Sequence, residues 1–102
     1  MEPPARHDEL LAARVRVPDQ VVYRSFPEET VMLNLTTGKY HGLNQTAGRM
    51  LETLERSESV AGALAELTRE YEAPPAEIER DLRDLCAALL ERGLIELEDR
   101  AL

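Results

Sequence analysis

The stretch Val31–Leu54, V-M-L-N-L-T-T-G-K-Y-H-G-L-N-Q-T-A-G-R-M-L-E-T-L, changes its hydrophobic period in the middle. Its first residues alternate, which predicts a strand whose inward face carries Val31, Leu33 and Leu35. Thr36-Thr37-Gly38 suits a short hairpin loop in which Gly38 takes positive φ, and Lys39–Leu43 then returns as a further strand. From there the apolar residues recur at helical spacing. The stretch therefore predicts a β-hairpin followed directly by a helix.

The residues before this hairpin are β-branched and aromatic in short runs. Val15 and Val17 alternate with arginines, and Val21–Tyr23 follows after Pro18. Because proline cannot donate a ladder hydrogen bond, it places a break or an edge in this first strand. The first half of the chain therefore predicts three antiparallel strands. Residues 1–13 are predicted to be a flexible tail, or to form one helical turn around Leu10 and Leu11.

The second half predicts three helices, at about residues 45–55, 60–71 and 75–92, from apolar residues at i, i+4, i+7 and i+11. Asn44 is a good N-cap for the first helix, and Ser57 or Ser59 caps the second. Pro75 is tolerated at a first helical position, and Gly93 ends the third helix. The alternation after Gly93 favours a short terminal strand.

These elements predict one domain over residues 14–98, since 102 residues leave no room for a second core. Its fold class is α+β: a three-stranded antiparallel sheet, with strands within residues 14–43, followed by three helices. This order resembles a winged helix-turn-helix. Proteins with this architecture have several unrelated functions, so the function has to be inferred from the residues of the functional site.

The composition is that of a domain that folds in water, with 43% hydrophobic and 31% charged residues. No apolar run approaches the ~20 residues of a membrane span, and Met1–Glu9 lacks the apolar segment of a secretory signal. We therefore expect a cytoplasmic protein.

Cys86 is the only cysteine, which excludes an internal disulfide and a cysteine-based zinc site.

The sequence predicts no enzyme. His7 falls in the predicted tail and His41 on the third strand, so neither is an evident base for a nucleophile. Cys86 lies on the apolar stripe of the third helix and is predicted to be buried. Most of the acidic residues at the start of that helix are expected to be exposed to solvent. Their negative charge stabilises the N-terminus of the helix, where the helix dipole is positive. The glycines do not cluster into a phosphate loop. We therefore expect no catalytic residue, no metal site and no cofactor.

The charge distribution argues against nucleic acid as the partner. Residues 1–50 hold six acidic and six basic residues, whereas residues 51–102 hold fourteen acidic and six basic residues, giving a net charge of −8. The third helix, which would be the recognition helix, carries five acidic and three basic side chains. DNA phosphates on both sides of a major groove would repel it.

Two stretches resemble the PqqD-like family: the Val31–Leu54 sequence above and Ile78–Ile95, I-E-R-D-L-R-D-L-C-A-A-L-L-E-R-G-L-I. The family pattern is a hydrophobic strand, a turn with glycine, an aromatic strand and Leu-Asn opening a helix. A later helix contains aspartate and ends in Gly-Leu-Ile or Gly-Leu-Val. The resemblance covers residues 15–98, and it is carried by the ordered set of motifs rather than by any single one.

The resemblance implies a recognition element for ribosomally made, post-translationally modified peptides. Such domains bind the leader of a precursor peptide, which adds as a strand beside the third strand and against the third helix. The chain looks most like the stand-alone lasso-peptide branch, whose partners are a cysteine leader peptidase and an ATP-dependent macrolactam synthetase. The alternative is the pyrroloquinoline quinone branch, which serves a radical SAM enzyme.

The residues agree with such a mechanism, because the third strand is a short edge strand without proline. Gly42 allows a partner backbone to approach closely. The expected peptide-binding residues are Lys39, Tyr40, His41, Gly42, Leu43, Ile78, Asp81, Leu82, Asp84 and Leu85. Whether Tyr40 or His41 faces the groove stays open, and the leucines of the third helix are at least as well explained as core.

Two rival readings come from other classes of protein. A degenerate winged-helix DNA-binding protein would need a basic face, and a structural scaffold would need a broad apolar patch. A free strand edge also leaves dimerisation open.

Overall fold

The computed structural model describes residues 9–98, which fold into two small sheets and a set of helices. The strands and helices are β1 (Arg14–Arg16), β2 (Val21–Ser25), β3 (Glu29–Asn34), β4 (Tyr40–Asn44), α1 (Gln45–Arg56), α2 (Val60–Tyr71), α3 (Pro75–Glu91) and β5 (Glu96–Glu98). Residues 9–12 are also helical. No helix in this part of the chain has both the length and the apolar composition to cross a bilayer.

The main sheet has the strand order β2-β3-β4, and both pairings are antiparallel. This three-stranded sheet precedes the three helices, as expected for the α+β class. The strand at Val15 does not join it, however. β1 pairs with β5 in a separate two-stranded ribbon, with Val15 opposite Leu97. Pro18 lies between β1 and β2, where the sequence predicted a break.

The inner face of β3 is opposite to the one that its apolar pattern predicts. Met32 is fully buried and Thr30 is 3% exposed, whereas Leu35 is 58% exposed. Val31 and Leu33 lie on the outer face, so the prediction that they face the core is wrong. The cause is the contact of β3 with α1: a Cβ atom on Gly48 would lie 2.3 Å from Thr30 Oγ1. Only a glycine lets the helix approach the sheet so closely.

The ends of the helices follow the capping chemistry of the sequence. Asn44 Oδ1 accepts a hydrogen bond from Ala47 N–H at 2.8 Å, and Ser59 Oγ accepts one from Gly62 N–H at 3.0 Å. α3 begins at Pro75, and Gly93 has a φ of +70° after its end. Each helix turns its apolar side inward. The core therefore lies between the inner face of the main sheet and these helices, and Cys86 is part of it.

Of the two predictions for residues 1–13, a flexible tail or one helical turn around Leu10 and Leu11, the described residues 9–12 agree with the helical turn. Residues 9–12 form a helical turn, and Leu10 and Leu11 pack against the core. Ala13 is buried, and its carbonyl accepts a hydrogen bond from Val60 N–H at 2.8 Å. Two leucines and one backbone hydrogen bond are thus enough to dock this segment. The rest of the predicted tail, including His7, lies outside the described residues.

Candidate peptide-binding site

The free edge of β4 is the first component of the candidate site. β4 pairs with β3 along one side, and no other described strand borders it. Asn34 N–H donates to Lys39 O at 2.9 Å, so the residues of β4 that bond to β3 are those in phase with Lys39, namely His41 and Leu43. The N–H and C=O groups of Tyr40 and Gly42 are therefore directed toward the open edge.

The side chains of β4 alternate between two faces of the sheet. His41 lies opposite buried Met32, and Leu43 packs against the core. Tyr40 lies on the outer face and is 73% exposed. The structure thus places His41, rather than Tyr40, on the side that faces the helices. Gly42 shares the outer face with Tyr40, and a Cβ atom there would lie 3.3 Å from the side-chain Oε1 of Glu29.

The five α3 residues that the sequence singled out divide into two groups. Ile78 and Leu82 are buried in the core, and half-buried Leu85 packs against it. These three side chains support the fold, and only Leu85 has substantial exposed surface. Asp81 and Asp84 are exposed, and the Asp81 carboxylate lies 4.0 Å from the guanidinium of Arg80.

A cleft joins the start of β4 to the C-terminal end of α3. It has a volume of about 360 Å³ and is lined by Asn34, Thr37, Lys39, His41 and Arg92. We call this the basic cleft. Two expected site residues, Lys39 and His41, lie together here. Sequence reasoning did not assign Asn34, Thr37 or Arg92 to the site, because no motif links the hairpin turn to a helix end about fifty positions away.

The outer face of the main sheet carries an apolar depression of about 510 Å³, lined mainly by Val22, Phe26, Val31 and Leu33. Val22 and Phe26 are about half exposed. The depression lies on the same face as Tyr40, but Tyr40 is not among its lining residues. This surface is not evident from the sequence, because the apolar pattern of β3 predicts that Val31 and Leu33 face the core.

The described residues contain no arrangement typical of catalysis. No group of three or more His, Cys, Asp or Glu side chains among residues 9–98 could hold a metal ion. Burial raises the pKa of the Cys86 thiol to about 11, so the thiol stays protonated at neutral pH. What the geometry does offer is an unpaired strand edge with a polar cleft on one side.

Comparison with known proteins agrees with this architecture. A family model described as coenzyme PQQ synthesis protein D (PqqD) matches residues 29–95. The solved structure of TbiB1 in complex with the TbiA(beta) leader peptide is 33% identical, covering 79% of this chain and 94% of that one, with a TM-score of 0.73.

A second solved structure, lasso peptide synthetase B1 complexed with the leader peptide, is 30% identical. It covers 82% of this chain and 99% of that one, with a TM-score of 0.74. No curated protein matches the chain significantly. Both solved structures share the α+β fold that the sequence predicts. Since the family model extends from the start of β3 to the residue before β5, the chain belongs to the PqqD family.

Proposed function

We propose that this protein binds the leader region of a ribosomally made precursor peptide in lasso-peptide biosynthesis. The leader adds as a strand to the free edge of β4, on the side of α3. The main support is the likeness to two structures that hold leader peptides, over about four-fifths of this chain. The free N–H and C=O groups of Tyr40 and Gly42 supply the chemistry that strand addition needs.

Backbone pairing alone does not give tight binding. Tyr40 and Gly42 offer two donors and two acceptors, each worth about 0.5–1.5 kcal/mol net when paired. The cost of association, about 4–15 kcal/mol, offsets most or all of that gain. Side chains must therefore supply affinity and specificity.

The proposed contact residues form three sets. Tyr40 presents an exposed ring beside the free edge, and Lys39, His41 and Leu43 lie along the same strand. On α3, Leu85 offers apolar surface and the exposed Asp81 and Asp84 would meet basic groups of the leader. Ile78 and Leu82 are buried, and they support the exposed surface of α3 by packing in the core beneath it.

The proposed role is binding without catalysis. The domain holds the precursor while a leader peptidase cleaves it and a macrolactam synthetase closes the ring, so these two enzymes are its expected partners. This role belongs to the cytoplasm, because ribosomally made precursors are released there. The free β4 edge also suits a dimer, which would compete with the leader for the same backbone groups.

A second candidate is the chaperone role in pyrroloquinoline quinone synthesis, with a radical SAM enzyme as partner. The observation that favours it is the description of the matching family model. The two candidates share the binding step and differ in the precursor, so titration with each kind of precursor separates them. A DNA-binding role has no comparable support, since α3 carries more acidic than basic side chains.

The test is a fluorescence-polarisation titration with the synthetic, labelled leader of any short precursor that is encoded beside the gene. We expect saturable binding at or below about micromolar concentration, the range of a short extended peptide held by pockets. If the leader of that precursor does not bind to the wild-type domain, the proposal is wrong.

Gly42→Pro tests the mode of binding, with Gly42→Ala as the matched control. Proline removes the Gly42 N–H, which points to the free edge and is not used by β3, so the sheet should tolerate it. We expect Gly42→Pro to weaken binding at least tenfold and Gly42→Ala to bind like wild type, with similar melting temperatures. Equal leader affinity for both variants would exclude strand addition at β4.

A further inference from the structure

The basic cleft is a concentration of positive charge in an acidic protein. Among the described residues, its lining contains Lys39, Arg92 and His41 and no carboxylate, although the chain has a net charge of −8. The other two lining residues, Asn34 and Thr37, are neutral and polar. A surface of this composition attracts an anion.

Among the described residues, the cations of the cleft lack the carboxylate partners that six arginines have. Six arginines each lie within 4.0 Å of a carboxylate: Arg14, Arg16, Arg49, Arg56, Arg80 and Arg83. Within residues 9–98, neither Lys39 nor Arg92 has a carboxylate at that distance. Two uncompensated cations therefore share one cleft.

The neutral residues of the cleft have donors left over. Asn34 Oδ1 accepts hydrogen bonds from the N–H groups of Thr36 and Thr37, at 2.9 and 3.3 Å, which leaves the amide NH₂ as the remaining polar group. Thr37 Oγ1 accepts from Lys39 N–H at 3.2 Å, so the hydroxyl proton remains to be donated. The lining thus combines two cations with neutral donors, the groups that bind a carboxylate.

The position of the cleft connects it with the free edge of β4. Lys39 and His41 flank Tyr40, whose backbone groups point to that edge. In a sheet, residues directly opposite each other on neighbouring strands project their side chains to the same face. A leader residue paired opposite His41 would therefore direct its side chain to the side of the cleft.

We propose that the basic cleft binds one aspartate or glutamate side chain of the precursor peptide, at the leader position opposite His41. This inference rests on the proposed function and adds an acidic specificity position to it. Arg92 supplies a fork that a carboxylate can bridge, and Lys39 supplies a second charge. The cleft thereby sets the register of the leader along β4, which the uniform backbone contacts cannot do.

The test is a double-mutant cycle between the cleft and the leader. The probes are the labelled leader of the neighbouring precursor and the TbiA(beta) leader peptide, each with every acidic residue replaced singly by its amide. The variants are Lys39→Gln and Arg92→Gln, and the control is Arg69→Gln, an exposed arginine of α2 outside the cleft. Melting temperatures confirm that all variants fold.

We expect each cleft variant to weaken binding about tenfold, the scale of one charge-assisted contact, and to flatten its salt dependence. The loss should disappear for the leader that lacks one particular carboxylate, whereas Arg69→Gln should bind like wild type. If wild type binds and both variants bind equally well, this inference alone is wrong.

Two other outcomes also count against the inference. Equal weakening by the cleft variants for every leader would indicate general attraction rather than a carboxylate position. Competition of millimolar inorganic phosphate with all leaders alike, including those without the acid, would indicate a site for free anions. A wild-type domain that binds no leader removes the proposed function and this inference together.

Discussion

At the scale of single residues, two glycines in similar helical positions are expected to respond in opposite ways to replacement by alanine. Gly48 lies where α1 crosses β3, and a Cβ atom there would come within 2.9 Å of Thr30 Cβ. Gly62 is exposed in the first turn of α2, and a Cβ atom there would come no closer than 3.4 Å to the Ser59 hydroxyl. Alanine has the higher helical propensity at both sites, so the contacts of the added Cβ atom determine whether the replacement stabilises the domain.

We therefore expect Gly48→Ala to lower the free energy of unfolding by about 1–3 kcal/mol, because the helix has to move away from the sheet. Gly62→Ala should raise it by about 0.5–1 kcal/mol through helical propensity. Chemical denaturation of both variants measures this. A stabilised Gly48→Ala variant would show that α1 does not press against Thr30.

Cys86 is a second residue with a testable property, because its buried environment lowers the reactivity of its thiol. The side chain is almost fully buried, and this burial raises its pKa to about 11. In the native domain at pH 8, we expect a thiol reagent to react far more slowly than in the denatured chain. Native labelling at the rate of the unfolded chain would contradict this.

The same pKa shift makes stability depend on pH. The pKa of the thiol is higher in the folded state than its ordinary value of 9.0, so its contribution is complete below pH 9 and is lost as the pH rises toward about 11. The expected loss over this pH range is about 2–3 kcal/mol. In Cys86→Ala, denaturation between these pH values should show a smaller decrease.

At the scale of elements, β3 shows what a hydrophobic pattern can and cannot predict. The recurrence of Val31, Leu33 and Leu35 at every second position correctly predicts a strand, because its period is two. It does not identify the inner face, since both faces carry apolar side chains. The contact of Thr30 with Gly48 selects the face, and that contact joins residues eighteen positions apart.

The helices are easier to predict from the sequence, because the chemistry that sets their ends is local. Asn44 and Ser59 cap α1 and α2 from adjacent positions, so their bounds follow from short-range chemistry. The free edge of the strand that begins at Tyr40 was likewise visible in the sequence as a short strand without proline. The basic cleft could not be predicted from the sequence, because only the tertiary fold brings Arg92 to the start of β4.

Two side-chain hydrogen bonds join β2 to α1, Tyr23–Glu55 and Ser25–Glu52, and the first of them gives a prediction for this pair of elements. Tyr23 Oη donates to Glu55 Oε1, and burial followed by this hydrogen bond raises the pKa of the tyrosine above its ordinary value. Tyr23→Phe should lower the free energy of unfolding by about 1.5–3 kcal/mol, the value of a hydrogen bond to a charged group.

The matched control is Tyr71→Phe, because Tyr71 is an exposed residue at the end of α2. We expect a change below about 0.5 kcal/mol for it. Urea denaturation of both variants separates the two cases. Equal stability of both would show that the Tyr23–Glu55 contact adds nothing.

At the scale of the whole molecule, the net charge of −8 limits the class of partner more than the fold does. A winged-helix architecture alone is compatible with DNA binding, but α3 has a net acidic face. We expect no shift of random-sequence duplex DNA at physiological salt in a gel-retardation assay, because phosphates repel this surface. A retarded DNA band that disappears at high salt would support the DNA-binding hypothesis instead.

The pairing of β1 with β5 has a further consequence for the whole domain. Arg14 lies opposite Glu98, so the outer ends of the first and last described strands lie at one place. A force applied to the domain at Arg14 and Glu98 would unzip the β1–β5 ribbon first, while the edge of β4 stayed intact and ready for its peptide.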